Sequence, residues 1–486
     1  MAVPQVVIIG RPNVGKSSIF NWLAGRRLAI VDDVAGVTRD RMVHLQKWND
    51  RFFEIVDTGG IGVNDVDNLT DEIERQIQIA IDSADIILFV VDVRSGMLPL
   101  DQQVAQRLRK IDKPVVLVAN KADSPHMDVE ADQFYRLGRG KLVAVSTLQN
   151  RNKSDLLDVI ADRLPDTEAP QDADDGLPEM KVAIVGRRNV GKSTFVNTLA
   201  QADRMIVSEV AGTTRDSVDV RFEMDGKSFV AIDTPGLRRR VSVKTDIDYY
   251  STHRAERSIR HADMTLMFFD ASQQISKVDK QLVRYISDEF KPCIFVVNKW
   301  DLYNTQMPTE RWATYLHETF PMMSHVPIAF ITGKTGKNVK TLLNHAQMLY
   351  KQSLSRINTG ELNRILKEII AHHPPPLHKN RKPKVYYATQ VGVQPPTFVL
   401  MVNMPKAFSQ SYQRYLISSF RDAVPFPEVP IKLYLKKRES SDERDDFGKV
   451  GKPVYEEDTS DEFLPEIDEA GDSAIVEQYD DANEEA

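Results

Sequence analysis

Four short blocks occur twice along this chain, in one order and at nearly one spacing, and that duplication limits its fold more than any other feature. GRPNVGKS at Gly10–Ser17 returns as GRRNVGKS at Gly186–Ser193. AGVTRD at Ala35–Asp40 returns as AGTTRD at Ala211–Asp216, and DTGG at Asp57–Gly60 as DTPG at Asp233–Gly236. NKAD at Asn120–Asp123 returns as NKWD at Asn298–Asp301. The first three pairs are 176 residues apart and the fourth 178, which means a duplicated domain.

Each copy reads as an α/β unit. In the first, the apolar runs Val6–Ile9, Phe52–Val56, Ile86–Val91, Val115–Ala119 and Leu142–Val145 alternate with helical stretches such as Lys16–Leu23 and Asp71–Ile81. The second repeats this with Val182–Val185, Phe229–Ile232, Met264–Phe269 and Cys293–Val297. Continuously apolar strands between amphipathic helices predict a mostly parallel sheet with helices on both faces. The expected order is one such domain at 1–165, an acidic linker at 166–179, and a second domain at 180–354. A smaller unit of mixed helix and strand follows at 355–438. The tail, 439–486, is acidic and poor in large apolar residues, so disorder is expected there.

Gly10, Arg11, Pro12, Asn13, Val14, Gly15, Lys16 and Ser17 follow a strand and open a helix. Glycines in that setting let backbone N–H groups and a helix N-terminus face a phosphate. Lys16 can reach the β- and γ-phosphates, and the Ser17 hydroxyl can ligate Mg²⁺. Gly186, Arg187, Arg188, Asn189, Val190, Gly191, Lys192 and Ser193 repeat the arrangement. A chance glycine-rich turn would account for one copy, not for two with downstream partners.

Asp57 and Asp233 end apolar strands, where a carboxylate can hold the same magnesium through water. Beyond Thr58 and Gly59, or Thr234 and Pro235, the backbone N–H of Gly60 or Gly236 can contact a γ-phosphate and sense its loss. Thr38 and Thr214 lie in polar loops before the second strand and suit the same ion.

The base is read by Asn120, Lys121, Ala122 and Asp123, and by Asn298, Lys299, Trp300 and Asp301. A carboxylate at the fourth position accepts hydrogen bonds from guanine N1–H and N2–H₂. Adenine offers no such donor pair and would leave a buried acceptor unpaired. GTP and GDP are the expected nucleotides.

No glutamine follows the D-x-x-G blocks to orient an attacking water; Ile61 and Leu237 stand there, so hydrolysis is expected to be slow or assisted. Asn13 and Asn189 can offer a carbonyl oxygen to an assisting cation, or simply stabilise their own loops. Residue chemistry leaves these two readings level. Arg238, Arg239 and Arg240 could meet transition-state charge or RNA, but a solvated basic loop is the plainer reading.

The net charge of −7 conceals three regions. Residues 439–486 carry nineteen Asp/Glu against three Lys/Arg, and residues 356–438 carry fourteen Lys/Arg against four Asp/Glu. The balances are −16 and +10, leaving the first 355 residues nearly neutral. The basic unit is expected to meet a polyanion, since neutralising phosphates releases counterions. Its rival is a basic face docked on acidic patches of the other domains. The acidic tail is a candidate competitor for that basic unit. No apolar run approaches the roughly 18–20 residues of a membrane span. The N-terminus lacks a secretory pattern, and a single cysteine, Cys293, fits a reducing compartment. A cytoplasmic location with no membrane partner is expected.

Together these blocks resemble the bacterial Der (EngA) tandem GTPases. The resemblance spans nearly the whole chain to Arg438, and YYATQVGVQPPTFVLMVN (Tyr386–Asn403) and SYQRYLISSFRD (Ser411–Asp422) are similar to the family's KH-like domain. It implies two P-loop GTPase domains and a KH-like α+β domain that act in maturation of the large (50S) ribosomal subunit. It also implies rRNA contact, nucleotide-dependent rearrangement of the domains, and a potassium ion held with the help of Asn13 and Asn189. The catalytic set would then be Lys16, Lys192, Asn13, Asn189, Thr38 and Thr214, in a monomeric protein. The guanine-backing loops depart from the family's Ser-Ala-rich pattern, reading Ser146-Thr147-Leu148 and Thr332-Gly333-Lys334. The third unit lacks a GXXG clamp, having only Gly360 and Gly392, so its RNA surface is unassigned. Two rivals remain: a GTP-locked rRNA-binding scaffold with negligible turnover, and a tRNA-modification or signalling GTPase.

Overall fold

The structure, a computed structural model, describes residues 2–25, 42–58, 77–78, 82–138, 140–165, 179–200, 206–211, 218–224, 227–232, 247–302 and 308–438. The expected linker apart from Glu179, the acidic tail and most of the stretch Asp71–Ile81 lie outside the described residues.

The first sheet comprises β1 (Gln5–Ile9), β2 (Met42–Trp48), β3 (Arg51–Asp57), β4 (Ile86–Asp92), β5 (Val115–Asn120) and β6 (Leu142–Ala144), in the order β2-β3-β1-β4-β5-β6. All neighbours run parallel except β2 and β3. Between those two, Asn49 and Asp50 turn the chain with φ of 46° and 59°. Asn and Asp tolerate that left-handed geometry better than most residues, which suits a tight hairpin. β2 reads MVHLQKW, so it offers no continuous apolar run to mark it as a strand in the sequence.

The second sheet repeats the first. β7 (Met180–Val185), β8 (Ile206–Ala211), β9 (Val218–Met224), β10 (Lys227–Ile232), β11 (Met264–Asp270), β12 (Cys293–Asn298) and β13 (Ile328–Phe330) take the order β13-β12-β11-β7-β10-β9-β8. Its edge strand β8 corresponds to positions in the first copy that lie outside the described residues.

Both faces of each sheet are buried, as apolar strands require. Val6 and Ile8 enter one core while Val7 and Ile9 enter the opposite one, because successive side chains alternate across a strand. Val182 and Ala183 divide in the same way.

The third sheet, β14 (Val385–Gly392), β15 (Thr397–Val402) and β16 (Lys432–Lys437), pairs β14 antiparallel and β16 parallel to β15. Two helices, Thr359–His372 and Gln410–Ala423, pack on it through Leu362, Leu366, Leu416 and Phe420. That core is continuous with one face of the second sheet, reached through the helix Val339–Ser353. Residues 1–438 form one compact unit. No described helix is long and apolar enough to cross a membrane.

Candidate functional site

The first phosphate loop leaves β1 at Gly10, whose φ is 151°. A Cβ there would stand 2.5 Å from the Val90 carbonyl oxygen, a distance that only glycine avoids. Asn13 takes a left-handed φ of 66°, Val14 anchors the loop in the core, and Gly15 (φ 92°) opens helix α1, Lys16–Leu23. Lys16 folds back over the loop, its Nζ donating to the carbonyls of Gly10 at 2.9 Å and Arg11 at 3.1 Å. Ser17 follows in the first turn of α1.

The second loop is built alike. Gly186 (φ 140°) lies against the Phe268 carbonyl, Asn189 has φ 64°, Val190 is buried, and Gly191 precedes Lys192. Lys192 Nζ donates to the carbonyls of Gly186 at 2.5 Å and Arg187 at 2.6 Å. Burial pushes its ammonium down to about 8, Asp279 opposing the shift. Its hydrogen-bond acceptors are neutral carbonyls, so an incoming phosphate would add countercharge to that of Asp279. That fits the loop to a polyanion.

The NKxD blocks brace these loops. Asn120 Nδ2 donates to the Val14 carbonyl at 2.9 Å, and Asn298 Nδ2 to that of Val190 at 2.8 Å. Lys121 Nζ reaches the Asn13 carbonyl at 3.0 Å and Asp92 Oδ2 at 2.7 Å. Lys299 bonds Asp270 at the same 2.7 Å. Burial opposes charge on Asp92 and Asp270, but the lysine bonds hold both carboxyls below the usual range. Ala122 is buried beneath the first block; Trp300 packs on Phe330 with ring centroids 4.6 Å apart in the second. Asp123 accepts from Ser146 Oγ at 2.5 Å and from Arg94. The Ser146 bond, reinforced by Arg94, holds its carboxyl below the usual range. In the second copy, the N–H of Gly333, from the Thr332-Gly333-Lys334 loop, donates to Asn298 Oδ1 at 2.8 Å.

Four carboxylates here escape the sequence motifs. Asp92 and Asp270 orient the lysines just described. Asp101 and Asp279 sit in the first turns of helices α2 (Pro99–Leu108) and α3 (Lys277–Asp288), where they cap the backbone N–H groups of Leu98 and Ser276. Each also faces a phosphate-loop arginine: Arg11 Nε is 3.4 Å from Asp101, and Arg187 Nε is 3.7 Å from Asp279. Burial raises the Asp101 carboxyl above its ordinary range. The signal that could have found all four is their recurrence at the 178-residue offset shared by the NKxD blocks.

Asp57 is fully buried at the end of β3, opposite Ile8 of β1, and Thr58 Oγ1 donates to the Ile8 carbonyl at 2.6 Å. Thr38, Thr214, Gly59, Gly60, Ile61, Asp233, Thr234, Pro235, Gly236, Leu237 and Arg238 to Arg240 lie outside the described residues.

The third sheet docks on the first domain through a buried carboxylate. Glu54 Oε1, on β3, accepts from Lys432 Nζ at 2.6 Å and from the Tyr434 hydroxyl at 2.8 Å. Lys432 also lies over the Phe290 ring of the second domain, 5.4 Å from its centroid. One of the basic unit's lysines therefore serves docking. At the opposite end of that sheet, Tyr386 and Tyr387 are exposed and Arg438 lies 5.1 Å from the Tyr386 centroid.

A family model described as 50S ribosome-binding GTPase matches residues 5–121 and again 181–299. A second, the KH-domain-like C-terminal part of EngA bacterial GTPase enzymes, matches residues 356–436. GTPase Der of Rhodopirellula baltica is 63% identical over 444 residues, covering 91% of this chain and 97% of the relative. GTPase Der of Desulforamulus reducens is 43% identical over 445 residues, covering 91% and 100%. Among solved structures, Era in complex with MgGDPNP and a segment of 16S ribosomal RNA is 25% identical. It covers 48% of this chain and 80% of its own at a TM-score of 0.30.

Proposed function

Because the chain belongs to the Der family of GTPases, and is thus a GTPase, we propose that it binds and hydrolyses GTP at two sites to time its action in large-subunit ribosome assembly. The observation that carries the ribosomal reading is the match of both copies to a family described as ribosome-binding. The +10 balance of residues 356–438 suits rRNA as the polyanion. In this reading the protein is a cytoplasmic monomer with domains at 1–165, 180–354 and 355–438, the linker at 166–179 and the tail at 439–486.

Lys16 and Lys192 stabilise phosphate charge from within their loops. Asn120 and Asn298 hold those loops rigid, and Asp123 and Asp301 accept the guanine donors. Ser17, Thr38 and Asp57, with Ser193, Thr214 and Asp233, would hold magnesium, which supplies countercharge to the phosphates. Asn13 and Asn189 would help hold potassium. Gly60 and Gly236 sense the γ-phosphate through their backbone N–H groups.

GTP turnover measured in potassium and in sodium buffer tests the catalytic reading, with faster hydrolysis expected in potassium. No turnover in either would reduce the protein to a scaffold. Co-sedimentation with large ribosomal subunits, under a GTP analogue and under GDP, tests the partner. Lys16→Ala and Lys192→Ala are compared separately, and a chain that never sediments with subunits in either nucleotide state contradicts the ribosomal reading.

A further inference from the structure

The two base-reading aspartates keep different company. In the first copy both carboxylate oxygens are taken: Ser146 Oγ donates to Asp123 Oδ1 at 2.5 Å, and Arg94 Nη2 bonds Oδ2. Arg94 comes from the turn after β4, two residues beyond Asp92. Its side chain is 56% exposed, whereas that of Asp123 is only 16%. In the second copy the same position, two beyond Asp270, is Ser272. Its hydroxyl turns instead to Asp270 Oδ1 at 2.7 Å. Asp301 is exposed and, among the described residues, takes no hydrogen bond or ion pair.

Guanine presents two adjacent N–H donors to a carboxylate, and a guanidinium presents donors in the same planar fork. The two ligands compete for one acceptor. We propose that Arg94 sets the nucleotide affinity of the first site, occupying Asp123 when the site is empty and swinging aside when guanine enters. The first site therefore binds guanine nucleotides more weakly than it would without Arg94, a handicap the second site lacks. This rests on reading Asp123 as the guanine acceptor. The Arg94 side chain is largely in solvent, so the effect is modest and falls as salt screens the pair.

The test titrates fluorescent GDP into the full chain carrying D301N, which silences the second site, with and without R94S. R94S is expected to bind GDP about two- to fivefold more tightly at low salt. The gap should close towards about 0.5 M salt, where the Debye length falls to a few ångströms. R94K, which keeps the charge but loses the fork, should fall between. The mirror change, S272R in a chain carrying D123N, should weaken GDP binding at the second site by a similar factor. Affinity of R94S equal to or below the parent at every salt concentration overturns the proposal. D123N in the first-site assay separates the premise from the inference. If D123N abolishes binding and R94S brings no gain, the competition alone fails; if D123N binds GDP normally, the reading of Asp123 fails.

Discussion

Asp82 and Arg260 occupy the same place in the two copies, each four residues before the strand β4 or β11, and they form an ion pair, with Arg260 Nη2 3.1 Å from Asp82 Oδ2. His261 Nε2 lies 3.2 Å from Oδ1, to which Gln78 also donates at 2.7 Å. The chain thus meets its own repeat across a buried carboxylate. Burial opposes charge on Asp82, but the His261 bond and the Arg260 guanidinium hold the carboxyl below its usual range. Asp82→Ala should cost about 3 kcal/mol, since it leaves the guanidinium without its countercharge. Urea unfolding of the full chain measures this. The double variant with Arg260→Ala should lose less than the sum of the two single changes.

Asn120→Ala should loosen the first phosphate loop, because it leaves the Val14 carbonyl without its donor. The loss of about 1–3 kcal/mol corresponds to roughly five- to 150-fold weaker GDP binding at that site. Titration in a D301N background reads it, and unaltered affinity would separate Asn120 from the loop's rigidity.

Nucleotide affinity of the second site should fall as pH rises above about 8. The free Lys192 ammonium loses its proton there, whereas phosphate stabilises the protonated form. Binding then takes up a proton, and the slope approaches about tenfold per pH unit. GTP-analogue titrations in a D123N chain between about pH 7.5 and 9 follow the change; a flat profile contradicts it.

Glu54→Ala should destabilise the compact unit by about 3–5 kcal/mol, since Lys432 would keep its buried place without its anion. Glu54→Gln, which retains acceptor capacity for the Tyr434 hydroxyl, should cost less. Thermal unfolding of both variants compares them, and equal losses would show that the charge on Glu54 is immaterial.

Deleting residues 439–486 removes a balance of −16 and should tighten RNA binding at low salt by relieving competition for the basic unit. Filter binding of rRNA fragments with and without the tail reads this, and equal affinities would remove the tail from the account.

Much of the fold was legible in the sequence. Val6–Ile9 and Val182–Val185 are strands because a run buried on both faces must be apolar at every position. β2 was not legible, since His44, Gln46 and Lys47 interrupt its apolar residues and leave no continuous run. The role of Glu54 was not legible either: it sits inside the run Phe52–Val56, and its cation, Lys432, comes from far along the chain.

The sequence by itself determined the chemistry that sits on one strand–loop–helix segment. The phosphate loops and NKxD blocks are local patterns, and their glycine and asparagine positions state the backbone they need. Only the tertiary structure decided which distant side chains meet. In a parallel sheet, the C-terminal ends of β1, β4 and β5 open side by side, so residues following different strands share one site. That adjacency brings Arg11 to Asp101, Lys121 to Asp92 and Arg94 to Asp123. The same blocks therefore build two sites with one chemistry, and the residue two places beyond β4 or β11, outside every motif, makes their aspartates differ.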